Sequence, residues 1–306
     1  MEEMYDIGLV FGGGGAKGAY QIGVWNTFKI YGLDKYVKAV SGTSVGVLNA
    51  VLFALGDYDK AYQIWKTITI SDMLYLKDPF DTLNNVFSSD GIFSRDGLNK
   101  FIDSLDLEKL KYSNIDVYAS YKKIDDPKIF EYIFNMLFPM SSKLAKDTVE
   151  RLRRFCTKDV DYCKINDAPL EFIKDILLVS TAMPLIYKCI CINQKKYSDA
   201  GTTDLGNVPI EPLYENGFKN ICVIPLDNKF DINKIKTKRL SSKTINAYME
   251  YKGCDFAIIK PSKSLGNLIT GTLNFSEQHI AEELELGEVD AYRVLRNTWI
   301  KKYSYQ

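Results

Sequence analysis

The chain has 306 residues, 46% hydrophobic and 25% charged, a composition typical of a folded protein with a substantial core. Lys and Arg number 39, as do Asp and Glu, so the charge balance gives no indication of a nucleic-acid partner. The acidic start, MEEMYDIG, lacks the basic and apolar regions of a secretory signal, and the longest mostly apolar stretch, residues 45–56, is too short to span a bilayer.

The first two strand–helix units indicate the fold class. A compact apolar run at residues 7–11 predicts a buried parallel strand, and a helical pattern follows over 18–31. A second short strand is predicted at 37–40 and a second helix at 47–55. This alternation predicts an α/β fold with a central, mostly parallel sheet flanked by helices.

The remaining elements follow less regularly. Residues 57–110 predict a helical insertion, and the apolar and basic stretch at 136–168 is a candidate lid. No Pro-, Gly- or Ser-rich linker divides the chain, so we expect a single domain over 1–306, with a core at 7–213 completed by 214–306. Further strands are predicted at 115–121, 128–134, 176–179, 186–192 and 221–225, and helices over about the last fifty residues.

The six cysteines are scattered, without a CxxC pair or a nearby histidine. This spacing favours neither a metal site nor a disulfide framework. We therefore expect reduced cysteines, no metal and no cofactor. The expected location is the cytoplasm, with peripheral contact at the inner membrane surface left open.

A glycine-rich turn, GGGGAKG, occupies residues 12–18, directly after the first strand. A P-loop needs Ser or Thr after its lysine, but Lys17 is followed by Gly18. A dinucleotide fold fits GxGxxG at Gly13, Gly15 and Gly18, but it also needs an acid at the end of the second strand. That strand is followed by SGTSVG, so a nucleotide-binding oxidoreductase stays open on the glycine motif alone.

GTSVG at residues 42–46 fits the GxSxG pattern between a strand and a helix. In this context Ser44 occupies a strained turn, and Gly42 and Gly46 lack the Cβ atoms that would clash with strand and helix. Ser44 is therefore a candidate nucleophile at a helix N-terminus, where the dipole favours developing negative charge. The alternative is an ordinary capping serine. Both turns are expected at the same edge of a parallel sheet.

A serine nucleophile needs a base, which is usually a histidine. The only histidine, His279, is interpreted as a helix-surface residue just after a Ser276 cap, so a carboxylate is the expected base. Asp199 is the candidate, because it follows a strand and precedes a turn of small residues, Ala200 and Gly201. The alternative is an ordinary turn aspartate.

In this order the blocks resemble those of the patatin-like phospholipase family. Its members carry a glycine-rich oxyanion block, a GxSxG elbow and a later Asp-Gly-Gly/Ala block, matched here at Gly13–Gly18, Gly42–Gly46 and Asp199–Gly201. STAMP at 180–184 and NVPIEPL at 207–213 add softer matches. The resemblance implies that the core is a patatin-like, three-layer α/β/α fold.

The resemblance also implies a serine acyl hydrolase with a Ser44–Asp199 dyad and an acyl-enzyme intermediate. The implied substrates are phospholipids, lysolipids or other fatty-acyl esters. Peripheral membrane contact through the stretch at 136–168 is one interpretation, and a core-packed helix is the other. Lys17 either adds positive charge or faces solvent. The implied oxyanion donors are the backbone N–H groups of Gly13, Gly14 and Gly15, with Lys17, Gly18, Gly42, Gly46 and Gly201 as supporting residues.

One departure from the family pattern bears on activity. The family usually has glycine directly after the aspartate, whereas this chain has Ala200. If that position needs a positive φ, alanine strains the backbone and displaces Asp199. The alternative function is then a catalytically weak acyl-lipid-binding protein of the same fold.

Overall fold

The computed structural model describes residues 6–73, 75–76, 93–124, 160–183, 186–187, 189–192, 194–201, 204–233, 251 and 253–300. The described strands are β1 Ile7–Phe11, β2 Val37–Gly42, β3 Tyr75–Leu76, β4 Phe93–Ser94, β5 Asp116–Ile124, β6 Asp161–Lys164, β7 Ile190–Ile192, β8 Lys195–Ser198, β9 Asn220–Ile224 and β10 Asp255–Ile258.

The described helices lie mainly between the strands. The α-helices are α1 Ala19–Ile30, α2 Val45–Leu55, α3 Tyr58–Thr67, α4 Ile70–Met73, α5 Asp96–Asp103, α6 Leu107–Lys111, α7 Leu170–Ser180, α8 Asp204–Asn207, α9 Glu211–Glu215 and α10 Glu277–Leu295. Short 3-10 helices occur at Gly15–Gly18, Asp34–Tyr36 and Ile165–Asp167, and a π-helix at Leu268–Thr272.

A mixed sheet with mostly parallel strands forms the centre of the fold, as predicted. Its order is β10-β9-β1-β2-β5-β8-β7, parallel from β10 to β5 and antiparallel from β5 to β7; β6 also pairs antiparallel with β5. Phe11, the last residue of β1, lies opposite Gly42, the last residue of β2. The glycine-rich turn and the GxSxG turn therefore leave the same edge of the sheet.

Helix α2 is buried along its whole length, which its sequence, VGVLNAVLFAL, explains because it is apolar on every side. It packs on β1, β2 and β5 on one side and contacts α3 and α6 on the other. Its first residue follows Ser44 directly, so the position of the candidate nucleophile is set by the core.

Most predicted elements are confirmed, but ILLV at 176–179 is not a strand. It forms the last turns of α7, where Ile173 and Leu177 are buried four residues apart, a helical spacing. A four-residue apolar run cannot distinguish a buried strand from a helix. The strand predicted at 186–192 is confirmed only at Ile190–Ile192, and β10 precedes the C-terminal helices.

Where residues 57–110 are described, they form the helices α3 to α6 and the antiparallel pair β3–β4, and their role as an insertion stays a prediction. The strand predicted at 128–134 and most of the candidate lid at 136–168 lie outside the described residues, except for β6 and the turn after it. The single-domain organisation stays a prediction. None of the described cysteines forms a disulfide, and no described helix is both long enough and apolar enough to cross a membrane.

Candidate active site

Ser44 lies in the sharp turn between β2 and α2 that the GxSxG pattern predicts. Its backbone has φ 56° and ψ −130°, a conformation that L-residues rarely adopt. The flanking glycines are needed for close approach: a Cβ at Gly42 would lie 2.4 Å from the Gly46 carbonyl carbon, and one at Gly46 2.2 Å from the Phe11 carbonyl oxygen. The turn therefore brings Ser44 to the N-terminus of α2, against the end of β1.

Four surrounding segments fix this turn by hydrogen bonds. The Ser44 N–H donates to the Ser180 carbonyl at the end of α7, at 3.1 Å. The Thr43 N–H donates to the Phe11 carbonyl at 3.3 Å, and the Thr43 hydroxyl bonds the Ser120 hydroxyl and the Gly206 carbonyl. Ser180 belongs to the STAMP segment, so that segment supports the turn that carries Ser44.

Asp199 meets Ser44 at this edge of the sheet. It follows β8, its side chain is only 2% exposed, and its N–H donates to the Ala182 carbonyl at 3.0 Å. The carboxylate accepts a hydrogen bond from the Gly201 N–H at 2.5 Å, and the Ser44 side chain is near enough to lower its pKa. Residues 155 positions apart in the sequence are thus brought together, as a proton transfer from Ser44 to Asp199 requires.

The surroundings of Asp199 make it a stronger base than an exposed aspartate. Burial raises the pKa of Asp199 to about 6, although the Ser44 side chain, the Gly201 hydrogen bond and the charge of Lys122 oppose that increase. Lys122 lies on β5 opposite Ser198, the residue before Asp199, and is itself only 1% exposed. The sequence analysis missed this buried lysine, because nothing local in ASYKKI distinguishes it from Lys123.

Ala200 does not strain the turn after Asp199. Among the described non-glycine residues, positive φ angles occur at Ser44 and Gln194, and Ala200 is not one of them. Ala200 is fully buried, and the neighbouring Gly201 bonds the carboxylate. The reason for expecting a displaced aspartate therefore does not apply to this fold.

The glycine-rich turn packs directly against Ser44. A Cβ at Gly13 would lie 3.2 Å from the Ser44 Cβ and 2.6 Å from the Asn207 Oδ1. The Gly13 N–H, however, donates to the Asn207 carbonyl at 3.0 Å, so it is not available to an oxyanion. Gly14 and Gly15 open the 3-10 helix, and among the described groups none accepts a hydrogen bond from their N–H. These two N–H groups remain the candidate oxyanion donors.

Lys17 is bound to the C-terminal part of the chain. Its Nζ donates to the Gly266 carbonyl at 2.9 Å, and burial lowers its pKa, while the charges of Glu283 and Asp227 raise it. The half-buried Lys17 therefore neither faces solvent freely nor points a free charge at an oxyanion. Next to it, Gly15 has φ 60°, and a Cβ there would lie 2.3 Å from the Thr272 carbonyl oxygen, which only glycine allows.

His279 lies in the first turn of α10. Ser276 caps the helix and accepts from the His279 N–H, as predicted. The ring is not on the surface as expected, because its side chain is only 15% exposed and Nε2 lies 2.9 Å from the Glu283 Oε1. Burial lowers the pKa of His279 and raises that of Glu283 to about 9.

A chain of buried polar side chains behind the glycine-rich turn was also missed. The Trp65 indole donates to the Asn49 Oδ1 at 2.9 Å, the Asn49 Nδ2 donates to the Gln21 Oε1 at 2.8 Å, and the Gln21 Nε2 donates to the Gly12 carbonyl at 2.8 Å. Gly18 packs on Trp65. One signal was available: Asn49 is the one polar side chain in the apolar helix α2.

A largely apolar cavity opens beside Ser44 and Gly15. Within the described parts of the chain, no group of three or more His, Cys, Asp or Glu side chains could hold a metal ion. The arrangement suits an ester with an apolar acyl group better than a nucleotide, and β2 ends at the serine turn instead of an acid. The apolar lining includes Val45, Leu48, Leu98, Ile186, Leu273 and Phe275.

Comparison with known proteins agrees with this site. The family described as patatin-like phospholipase matches residues 9–214, which include the glycine-rich turn, Ser44 and Asp199. The chain belongs to the patatin-like phospholipase family. This membership supports a lipid hydrolase activity and a lipid partner.

Solved structures give a more distant similarity. VipD from Legionella pneumophila is 14% identical with a TM-score of 0.51, over 96% of this chain and 67% of VipD. This likeness supports the fold alone. The type III effector ExoU is 16% identical over 95% of this chain and 53% of its own, but its TM-score is only 0.35. No curated protein sequence matches the chain.

Proposed function

We propose that this patatin-like protein is a serine acyl hydrolase that cleaves phospholipids, lysolipids or related fatty-acyl esters through a Ser44–Asp199 dyad. The observation that carries the proposal is the convergence of Ser44 with the buried Asp199 carboxylate, whose pKa the Ser44 side chain lowers. A capping serine or a turn aspartate alone does not need this convergence. The raised pKa of Asp199 supports a role as general base near neutral pH.

In the first half of the reaction, the Ser44 Oγ attacks the ester carbonyl carbon and its proton passes to Asp199. The backbone N–H groups of Gly14 and Gly15 bind the carbonyl oxygen as it becomes an oxyanion, and the N-terminus of α2 favours the same charge. The tetrahedral intermediate then releases the alcohol or lysolipid, which takes the proton from Asp199. Ser44 is left acylated.

In the second half, water attacks the acyl carbon and gives its proton to Asp199. The Ser44 oxygen leaves, regains the proton, and the fatty acid is released. The atoms and charges of these reaction steps balance without a bound cofactor. Gly42, Gly46 and Gly18 support the site because they have no Cβ, so that neighbouring segments can pack closely against them. Gly201 orients the Asp199 carboxylate through its N–H.

The cavity beside Ser44 and the family support the proposed substrate class. An apolar wall directly next to the nucleophile suits a fatty-acyl chain, because burying each methylene is worth about 0.8 kcal/mol. We propose cytoplasmic action at a membrane surface, consistent with the absence of disulfides among the described cysteines.

The test is hydrolysis of a panel of phospholipids, lysophospholipids and neutral glycerides by the wild type, Ser44→Ala and Asp199→Asn. Ser104→Ala and Asp59→Asn are matched controls, because both residues are exposed. We expect fatty-acid release by the wild type and both controls, and a loss of at least about a thousand-fold in the two site variants. Full turnover by Asp199→Asn would refute the dyad. Saturable lipid binding by the wild type without release would favour the binding-protein alternative.

A further inference from the structure

An exposed apolar pair lies a few residues before side chains that line the cavity beside Ser44. The π-helix Leu268–Thr272 presents Leu268 and Ile269 to solvent, with 54% and 75% of their surface exposed. An isoleucine this exposed adds little to folding stability, whereas it favours binding to an apolar surface outside the protein. The π-helical form itself is rare and is often found at functional sites.

The same short element reaches the cavity. The Leu273 N–H donates to the Leu268 carbonyl at 2.9 Å, and Leu273 lines the cavity together with Thr272 and Phe275. Thr272 also contacts the glycine-rich turn at Gly15. The exposed Leu268 and Ile269 are therefore within five residues of side chains that line the cavity.

The apolar pair is held in a fixed position instead of on a loose loop. Asn267 accepts from the N–H groups of Ile269 and Thr270, and the Thr270 side chain accepts from the Asn267 N–H in return. The Lys17 bond to the Gly266 carbonyl ties the segment to the glycine-rich turn. The Lys17 bond to this carbonyl thus fixes the π-helix segment relative to the glycine-rich turn.

The charges along this segment fit an anionic surface. Between Asp255 and Glu277 the chain has Lys260 and Lys263 and no acidic residue. Both lysines are exposed. Basic side chains beside exposed aliphatic ones are what a protein needs to bind at the interface of a bilayer that contains anionic lipid.

We propose that residues 263–273 form a membrane-docking tip, in which Leu268 and Ile269 enter the lipid interface and Lys263 meets anionic headgroups. The proposal rests on the proposed lipid hydrolase function, because it brings the bilayer to the segment that lines the cavity beside Ser44. It assigns the membrane contact to this tip and not to the stretch at 136–168.

The test uses Ile269→Asp, with Ile30→Asp as its matched control. Ile30 is 65% exposed and ends α1, about 17 Å along that helix from the glycine-rich turn. Each protein is assayed by co-sedimentation with phosphatidylcholine vesicles, with and without phosphatidylglycerol, and by turnover of soluble p-nitrophenyl butyrate.

We expect Ile269→Asp to lose about ten-fold or more in vesicle binding and to keep soluble-ester turnover within about two-fold. Ile30→Asp should match the wild type in both assays. Lys263→Glu should lose binding only to the anionic vesicles. Equal vesicle binding by wild type and Ile269→Asp, or an equal loss in Ile30→Asp, would refute the membrane-docking role of the tip.

The failure of the tip can be distinguished from failure of the proposed function. Wild type that cleaves the soluble ester but binds neither vesicle overturns the tip and leaves the hydrolase. Wild type that binds vesicles through Ile269 but cleaves no ester supports the tip as a lipid contact and overturns the hydrolase.

Discussion

The ionisation of Asp199 sets the pH dependence expected of the protein. Burial raises the pKa of Asp199 to about 6. Only the ionised carboxylate can accept the Ser44 proton, so kcat/KM should follow the ionised fraction and fall as the pH decreases through that pKa. About nine tenths of the molecules are ionised at about pH 7 and about one tenth at about pH 5, so we expect about a ten-fold loss between them.

Replacing Lys122 tests in which direction the pKa of Asp199 shifts. Its buried positive charge lowers the pKa of Asp199, so Lys122→Met should move the midpoint of the profile to higher pH. Activity should fall most near neutral pH and recover at alkaline pH. Lys123→Met is the matched control, since Lys123 is the next residue on β5 and is exposed.

The assay is initial-rate hydrolysis of p-nitrophenyl butyrate from about pH 4.5 to about pH 9 at constant ionic strength, followed at the isosbestic wavelength of p-nitrophenol. Circular dichroism at each pH separates titration from unfolding. A profile that stays flat between about pH 5 and pH 7 would refute the role of Asp199 as base. A Lys122→Met midpoint that moves to lower pH would refute the electrostatic argument.

Three further substitutions test particular contacts. Gly46→Ala places a Cβ 2.2 Å from the Phe11 carbonyl oxygen, and urea unfolding should show a loss of about 2 kcal/mol or more; unchanged stability contradicts the packing of the turn. Gly15→Ala places alanine at φ 60° against Thr272, so kcat should fall by about a hundred-fold, as it does when an oxyanion donor is lost. An unchanged kcat would show that the Gly15 N–H has no such role. His279→Asn should retain soluble-ester turnover within about three-fold, and a much larger loss in a folded variant would make the histidine a candidate base.

The parts of the fold that could be predicted are those encoded locally. The strand at Ile7–Phe11, the strand at Val37–Gly42 and the turn around Ser44 follow from apolar runs and glycines adjacent in the sequence. ILLV was wrongly predicted as a strand because its helical partner residue, Ile173, lies outside the short apolar run. A run of four apolar residues is too short to show the helical spacing of the full helix.

The parts of the site that could not be predicted depend on pairings between distant segments. The bond from the Gly13 N–H to the Asn207 carbonyl joins residues almost two hundred positions apart, so the glycine motif alone could not show that this donor is occupied. The burial of Lys122 beside Asp199 likewise depends on the β5–β8 pairing. Asp199 itself was found from its local context, a strand followed by a turn of small residues, and the family pattern agreed with that choice.

The most direct test of the dyad is labelling with a fluorophosphonate, which reacts with an activated serine. The account predicts one adduct, mapped to Ser44 by mass spectrometry, absent in Ser44→Ala and formed at least about a hundred-fold more slowly in Asp199→Asn. An adduct on another serine, or labelling of Asp199→Asn at the wild-type rate, would contradict it.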